Sequence, residues 1–201
     1  MIRHLGLQTQ RSKRLIKMAE AWLANPPVAG RRYRTLHYPV KGDGKGYKKT
    51  EIVEQDAQDC GGALEIGHIP GCGPYAWDSW RIFCRDVLRG VAEGFDGQGA
   101  EVAELEPEWK RVLPLDKELR ATLRWMHLRE GLVWDQETGE RRPATEAEME
   151  RATRGEMEVP DAGERKFATR AVAAGEDDAV LDGSSGPADN PAVEPVVWRI
   201  S

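Results

Sequence analysis

The chain has 201 residues, of which 40% are apolar and 31% charged, with a net charge of −5. That length and apolar share allow one domain with tails around a modest core, and no apolar run approaches the roughly 18 residues of a membrane-spanning helix. Cys60, Cys72 and Cys84 form no CxxC pair, which argues against a closed zinc or iron–sulfur site and fits a reducing compartment. The mean charge hides a segregation. Residues 1–49 hold 12 Lys and Arg against Glu20 and Asp43, a net +10, while the other 152 residues hold 17 against 32, a net −15. A basic, anion-binding part and an acidic part follow.

In chain order, Arg11 to Ala24 reads as a helix with Leu15, Met18, Ala19, Trp22 and Leu23 on one face and Arg11, Lys13, Arg14 and Lys17 elsewhere. Pro26-Pro27 stops it. Residues 28–62 read as a long basic loop with a short ribbon near Tyr33 to Val40. Arg31, Arg32, Arg34, Lys41, Lys45, Lys48 and Lys49 alternate there with Tyr33, Tyr38 and Tyr47, a pattern that suits either a phosphate track or a flexible soluble loop. Residues 63–69 and 74–90 are predicted as two helices around the turn Ile69-Pro70-Gly71-Cys72-Gly73-Pro74. Two glycines would turn the backbone with positive φ, so that amides at the next helix N-terminus face a phosphate.

Residues 91–105, with Gly94, Gly97 and Gly99, read as an inserted loop, and Glu108 to Leu113 as a short amphipathic turn. Leu119 to Arg129 is a helix with Leu119, Leu123 and Met126 inward, ending near Gly131. Asp116 follows Pro114 and precedes this helix, an N-cap position where free amides and the helix dipole favour the ionised carboxylate. Such a carboxylate is either a plain cap or, at a DNA-facing surface, a stabiliser of positive charge on a sugar. Glu146 to Arg154 reads as a polar helix, and from Gly155 onward composition predicts disorder. The helices between them must bury Leu15, Trp22, Trp80, Phe83, Leu123 and Trp125.

The hairpin, a helix, and then an aspartate opening the next helix resemble the helix-hairpin-helix DNA glycosylase superfamily. The nearer likeness is to the glycosylase domain of the methyl-CpG-binding-domain thymine DNA glycosylase and its plant and fungal relatives. It runs through His4-Leu5-Gly6-Leu7, Arg11 to Ile16, Gly71 to Tyr75, Asp78-Ser79-Trp80-Arg81-Ile82-Phe83-Cys84, and Glu108 through Leu119, about half the chain in blocks.

The resemblance implies an all-α, helix-hairpin-helix glycosylase fold over about residues 1–135. It also implies insertions at about 28–62 and 85–105, family N-terminal helices missing, and a polar, acidic, disordered tail over 136–201. By position, Asp116 is the implied catalytic residue, Tyr75 lines the base pocket and Leu7 wedges into the duplex. Gly71, Gly73, Arg11 and Lys13 contact the DNA backbone. Bifunctional members carry a Schiff-base lysine where this chain has Tyr75, so the implied enzyme cuts base from sugar and leaves the strand intact. The implied function is nuclear base-excision repair of mismatched thymine or uracil in double-stranded DNA, without metal or cofactor. Two other readings stay open. One is a non-catalytic DNA-binding remnant or truncated gene product that keeps the hairpin without a complete pocket; the other is a helical interaction protein with no DNA role.

Overall fold

The computed structural model describes residues 8–54, 61–102 and 105–156, with side chains from Gln10 onward. The chain divides into two units, Met1–Asp161 and Ala162–Ser201, and every described residue lies in the first. Leu7 and the segment after residue 156 therefore fall outside the described residues.

Helix α1, Gln8–Ala24, ends before Pro26-Pro27 as expected. Three short strands follow, β1 (Arg31–Arg34), β2 (Ile52–Glu54) and β3 (Ala63–Leu64). They form one antiparallel sheet in the order β2-β1-β3, with Arg32 opposite Val53 and Tyr33 opposite Leu64. Helix α2 (Pro74–Phe83) starts on proline, and a break at Cys84, φ −127°, separates it from the single turn α3 (Arg85–Leu88). A 3-10 turn, Glu108–Arg111, leads to α4 (Lys117–Arg129). Beyond it, β4 (Leu132–Trp134) and β5 (Arg141–Pro143) make an antiparallel hairpin, and α5 (Glu146–Thr153) opens with a capping box between Thr145 and Glu148.

The expectation of an all-α domain is overturned: the described residues form a mixed α/β fold of five helices and two antiparallel sheets. Residues 63–69, expected as the first hairpin helix, form β3 and then two turns, closed by Gly67 N to Leu64 O at 3.0 Å and Ile69 N to Ile66 O at 3.1 Å. Gly61, Gly62, Gly67 and Pro70 leave only four residues between breakers, too few to offset the cost of nucleating a helix. The open edge of β1 supplies partners for the Ala63 and Leu64 backbone instead.

Three apolar clusters hold these elements together. Ile82, Trp109, Val112, Leu119, Leu123, Met126 and Trp134 join α2, the 3-10 turn, α4 and β4. Ile66, Ile69 and Trp80 take Met18 and Ala21 of α1 against them. Tyr38 and Leu64 pack with Trp77. Of the six side chains expected inside, only Trp80 and Leu123 are buried. Leu15, Trp22, Phe83 and Trp125 are 53%, 39%, 37% and 57% exposed. The burden passes to Trp109, Trp134 and Tyr38, which the sequence did not single out as core.

Between the clusters lies a buried charge network. Arg81 donates through Nε to Glu108 Oε1 at 2.6 Å, and Arg85 Nη1 lies 3.2 Å from Glu108 Oε2. Arg85 Nε also donates to Glu65 Oε1 at 3.3 Å, and Trp80 Nε1 donates to Glu65 Oε2 at 3.1 Å. The Glu108 amide donates to Asp86 Oδ2 at 2.6 Å. Burial and the nearby Glu108 charge raise the Asp86 carboxyl pKa, against that amide and the Arg89 and Arg111 charges, which lower it.

Removing one member of a buried ion pair strands its partner and costs about 3–5 kcal/mol. Glu108→Ala is therefore expected to lower unfolding free energy by about that amount. Lys117→Ala, in an exposed pair with Glu118, should cost under about 1 kcal/mol. Denaturant titrations of both variants check this contrast.

His127 is fully buried between Trp109, at 4.6 Å between ring centroids, and Trp134, at 5.5 Å. Neither ring nitrogen has a hydrogen-bond partner among the described residues. Burial, aided by the Arg141 and Lys110 charges and opposed by Glu130, pulls its pKa down to about 4. The unfolded chain then takes a proton near pH 6.5 that the folded chain refuses until about pH 4. Stability consequently falls as pH drops through that window, by roughly 3 kcal/mol in all. Asp86, with its raised pKa, acts in the opposite direction, so the histidine's share is read from a difference. His127→Phe keeps the ring stack, removes both nitrogens, and should be less acid-sensitive than wild type between pH 6.5 and 4 in parallel denaturant titrations.

Candidate functional site

The hairpin turn joins Ile69 to α2. Gly71 has φ +86°, the left-handed region that disfavours any side chain, and a Cβ there would meet the Met18 Cε of α1 at 3.7 Å. Gly73 differs from expectation: its φ is −136° and nothing lies within 4 Å of its missing Cβ. It is extended backbone that any residue adopts. Only one of the two glycines is required by the turn, because Pro74 begins the helix directly after an extended N-cap.

Gly73 caps α2 without a side-chain hydrogen bond, and Pro74 carries no amide hydrogen. The Tyr75 and Ala76 amides at this first turn consequently have no acceptor within the helix. Tyr75 is 58% exposed beside them. Helix α1 packs against the same turn through Met18 and Ala21, with Cys72 in the same cluster, and presents exposed Arg11 and Lys13. Met18, Ala21 and Cys72 thus share one cluster with Ile69, while Arg11, Lys13 and Tyr75 stand exposed outside it.

Asp116 is the N-cap of α4, as its place before the apolar period predicted. Its backbone is extended, φ −72° and ψ 134°, and Oδ1 accepts from the Glu118 amide at 2.9 Å and the Leu119 amide at 3.1 Å. Arg120 holds the approach by donating through Nε to Pro114 O at 2.7 Å. Both bonds to Asp116 use one oxygen; Oδ2 accepts none among the described residues. The half-buried carboxylate is therefore oriented by its helix with one oxygen left for another partner.

The hairpin and the carboxylate are tied together. Arg81 of α2 pairs with Glu108, eight residues before Asp116, and Ile82 packs with Trp109, Val112, Leu119 and Leu123. Sequence reasoning missed these positioning residues. Asp78, Arg81 and Arg85 recur at three- and four-residue spacing along the segment predicted as one helix over 74–90, which also carries Trp77, Trp80 and Ile82, a signal for charges turned inward.

Two clefts lie elsewhere. One of about 700 Å³ is bounded by Arg124, Trp134, Asp135, Glu137, Arg141 and Arg142, among others. A second of about 430 Å³ adjoins Gly90, Val91, Leu105 and Arg111. Neither is lined by Asp116 or Tyr75. No helix among the described residues is long and apolar enough to cross a membrane, and they hold no cluster of potential metal ligands. Comparison with family models, curated proteins and solved structures finds no match to this chain.

The geometry separates the two hairpin glycines experimentally. Gly71→Ala forces a side chain into left-handed backbone and should destabilise by roughly 1–2 kcal/mol. Gly73→Ala should leave stability within about 0.5 kcal/mol. Thermal melts of the two variants check the difference.

Proposed function

We propose that the chain binds duplex DNA through the Gly71–Tyr75 hairpin and α1, and uses Asp116 to excise a mismatched thymine or uracil. The observation that carries this reading is the single packed unit joining the hairpin helix to the Asp116-capped helix, with Arg81–Glu108 buried between them. First-turn amides of α2 and exposed Arg11 and Lys13 suit phosphates, while the ordered carboxylate suits the sugar. As the base leaves, the deoxyribose gains oxocarbenium character. An Asp116 carboxylate beside it stabilises that charge and draws a proton from the attacking water. The target base must leave the stack, which costs a few kcal/mol and least for a mismatch. Leu7, which the resemblance assigns as the wedge, lies outside the described residues. Tyr75 offers a ring for stacking but no amine, so no Schiff base forms and the product is an abasic site in an intact strand.

The position of the two clefts away from Asp116 and Tyr75 favours one second reading, a DNA-binding domain that holds the duplex without excising.

Single-turnover incubation of the full chain with G·T and G·U duplexes, followed by alkaline cleavage at abasic sites, tests the choice. Release should fall at least about 100-fold in Asp116→Asn, with duplex affinity kept. Release that survives in Asp116→Asn would reduce Asp116 to a helix cap; binding without release in wild type would favour the second reading.

A further inference from the structure

The connection from β1 to β2, residues 35–51, carries Lys41, Lys45, Lys48 and Lys49, all exposed and none with an ion-pair partner among the described residues. Cations later in the chain differ: Arg81, Arg85, Lys110, Arg120, Arg141 and Arg142 each face a carboxylate. The two nearest acids of the loop are engaged by its own backbone. Asp43 accepts from the Val40 amide at 3.0 Å, and Glu51 accepts from the Lys48 amide at 2.8 Å.

The loop is also pinned. Thr35 N donates to Gly62 O at 2.7 Å, His37 N to Asp43 O at 2.8 Å, and Arg34 Nη1 to Tyr47 O at 3.2 Å. Gly44 is buried with φ +74°, and a Cβ there would sit 2.9 Å from the carbonyl oxygens of Gly62 and Thr35. Tyr38 is buried and donates to Asp78 Oδ1 at 2.7 Å, within α2 and just past Tyr75. The four ammonium groups are thus carried on a loop fastened to the hairpin helix.

We propose that this loop is a second phosphate-binding element for duplex DNA, acting alongside the hairpin; it rests on the duplex-binding reading above. A duplex carries one charge per roughly 1.7 Å of axis, and each neutralised phosphate contributes about 0.9 to the slope of log affinity against log salt. Pinned cations give up little freedom on binding, because the fold has already ordered the backbone that carries them.

The test is anisotropy titration of a labelled duplex from 50 to 200 mM salt. It compares wild type with the fourfold variant Lys41→Gln, Lys45→Gln, Lys48→Gln, Lys49→Gln. The slope should shrink by about 2–4, and affinity at the lowest salt should fall at least tenfold. A second readout needs no variant: acetylation of these four lysines in wild type should slow when duplex is added. A wild type that binds duplex, with an unchanged slope in the variant and no protection from acetylation, overturns this proposal and leaves the hairpin reading intact. A wild type with no salt-dependent duplex binding overturns both. Lysine protection by anionic phospholipid vesicles but not by duplex also overturns it.

Discussion

The fold depends on one buried carboxylate. Glu108 receives Arg81 on one oxygen and both Arg85 and Arg111 on the other, while its own amide donates to Asp86. Through Arg85 the network reaches Glu65 beside β3, and through Arg81 it reaches the Tyr38 hydroxyl in the loop after β1, at 3.5 Å. Charged groups removed from water are costly unless each finds a partner of opposite charge. The arrangement is therefore demanding: α2, α3, the 3-10 turn, the β3 turn and the basic loop must all be in place before every member is satisfied. That demand fixes the hairpin relative to the segment entering α4, and so relative to Asp116.

Much of the basic region is consequently part of the fold. Tyr38 packs with Leu64 and Trp77 and bonds Asp78; Tyr33 pairs with Leu64 across the sheet and packs at a tilt against His68, ring centroids 4.0 Å apart. These aromatics do structural work inside, and the lysines around them stay exposed to solvent. Their interleaving with cations suited either a phosphate track or a flexible loop; in the fold Tyr33, Tyr38 and Arg32 are buried, while Lys41, Lys45, Lys48 and Lys49 stay exposed.

What the sequence made legible were the long periodic elements and the caps. Helix α1, the Glu108 turn, α4 with its Asp116 cap, and α5 all stand within a few residues of their predicted spans, because 3.6-residue periodicity and a capping side chain are local signals. Of the sheets little was legible beyond the ribbon expected near Tyr33 to Val40, which meets β1 only at Tyr33 and Arg34. Strands of two to four residues give no period to read, and Ala63–Leu64 is a strand only because β1 lies beside it. The same limit explains residues 63–69, read as helix because the hairpin motif calls for one there. Gly73 was misjudged although the signal was there: Pro74 presses the residue before it into extended backbone, which reading both glycines as positive-φ positions overlooked. On the exposed face of α1, Leu15, Ile16 and Leu23 are apolar without being core, which periodicity alone does not distinguish.

The central claim is that the carboxylate oriented at the start of α4 acts on a nucleotide held by the hairpin. The most direct measurement is a structure of the chain on duplex DNA whose mismatched deoxythymidine carries a 2′-fluorine, which disfavours the oxocarbenium-like state and keeps the base attached. The account predicts that nucleotide outside the stack, with an Asp116 oxygen about 3–3.5 Å from C1′ or from a water poised there, and the flanking phosphate on the Tyr75 and Ala76 amides. A duplex bound with the base still stacked and Asp116 bonded only to its own helix would contradict it.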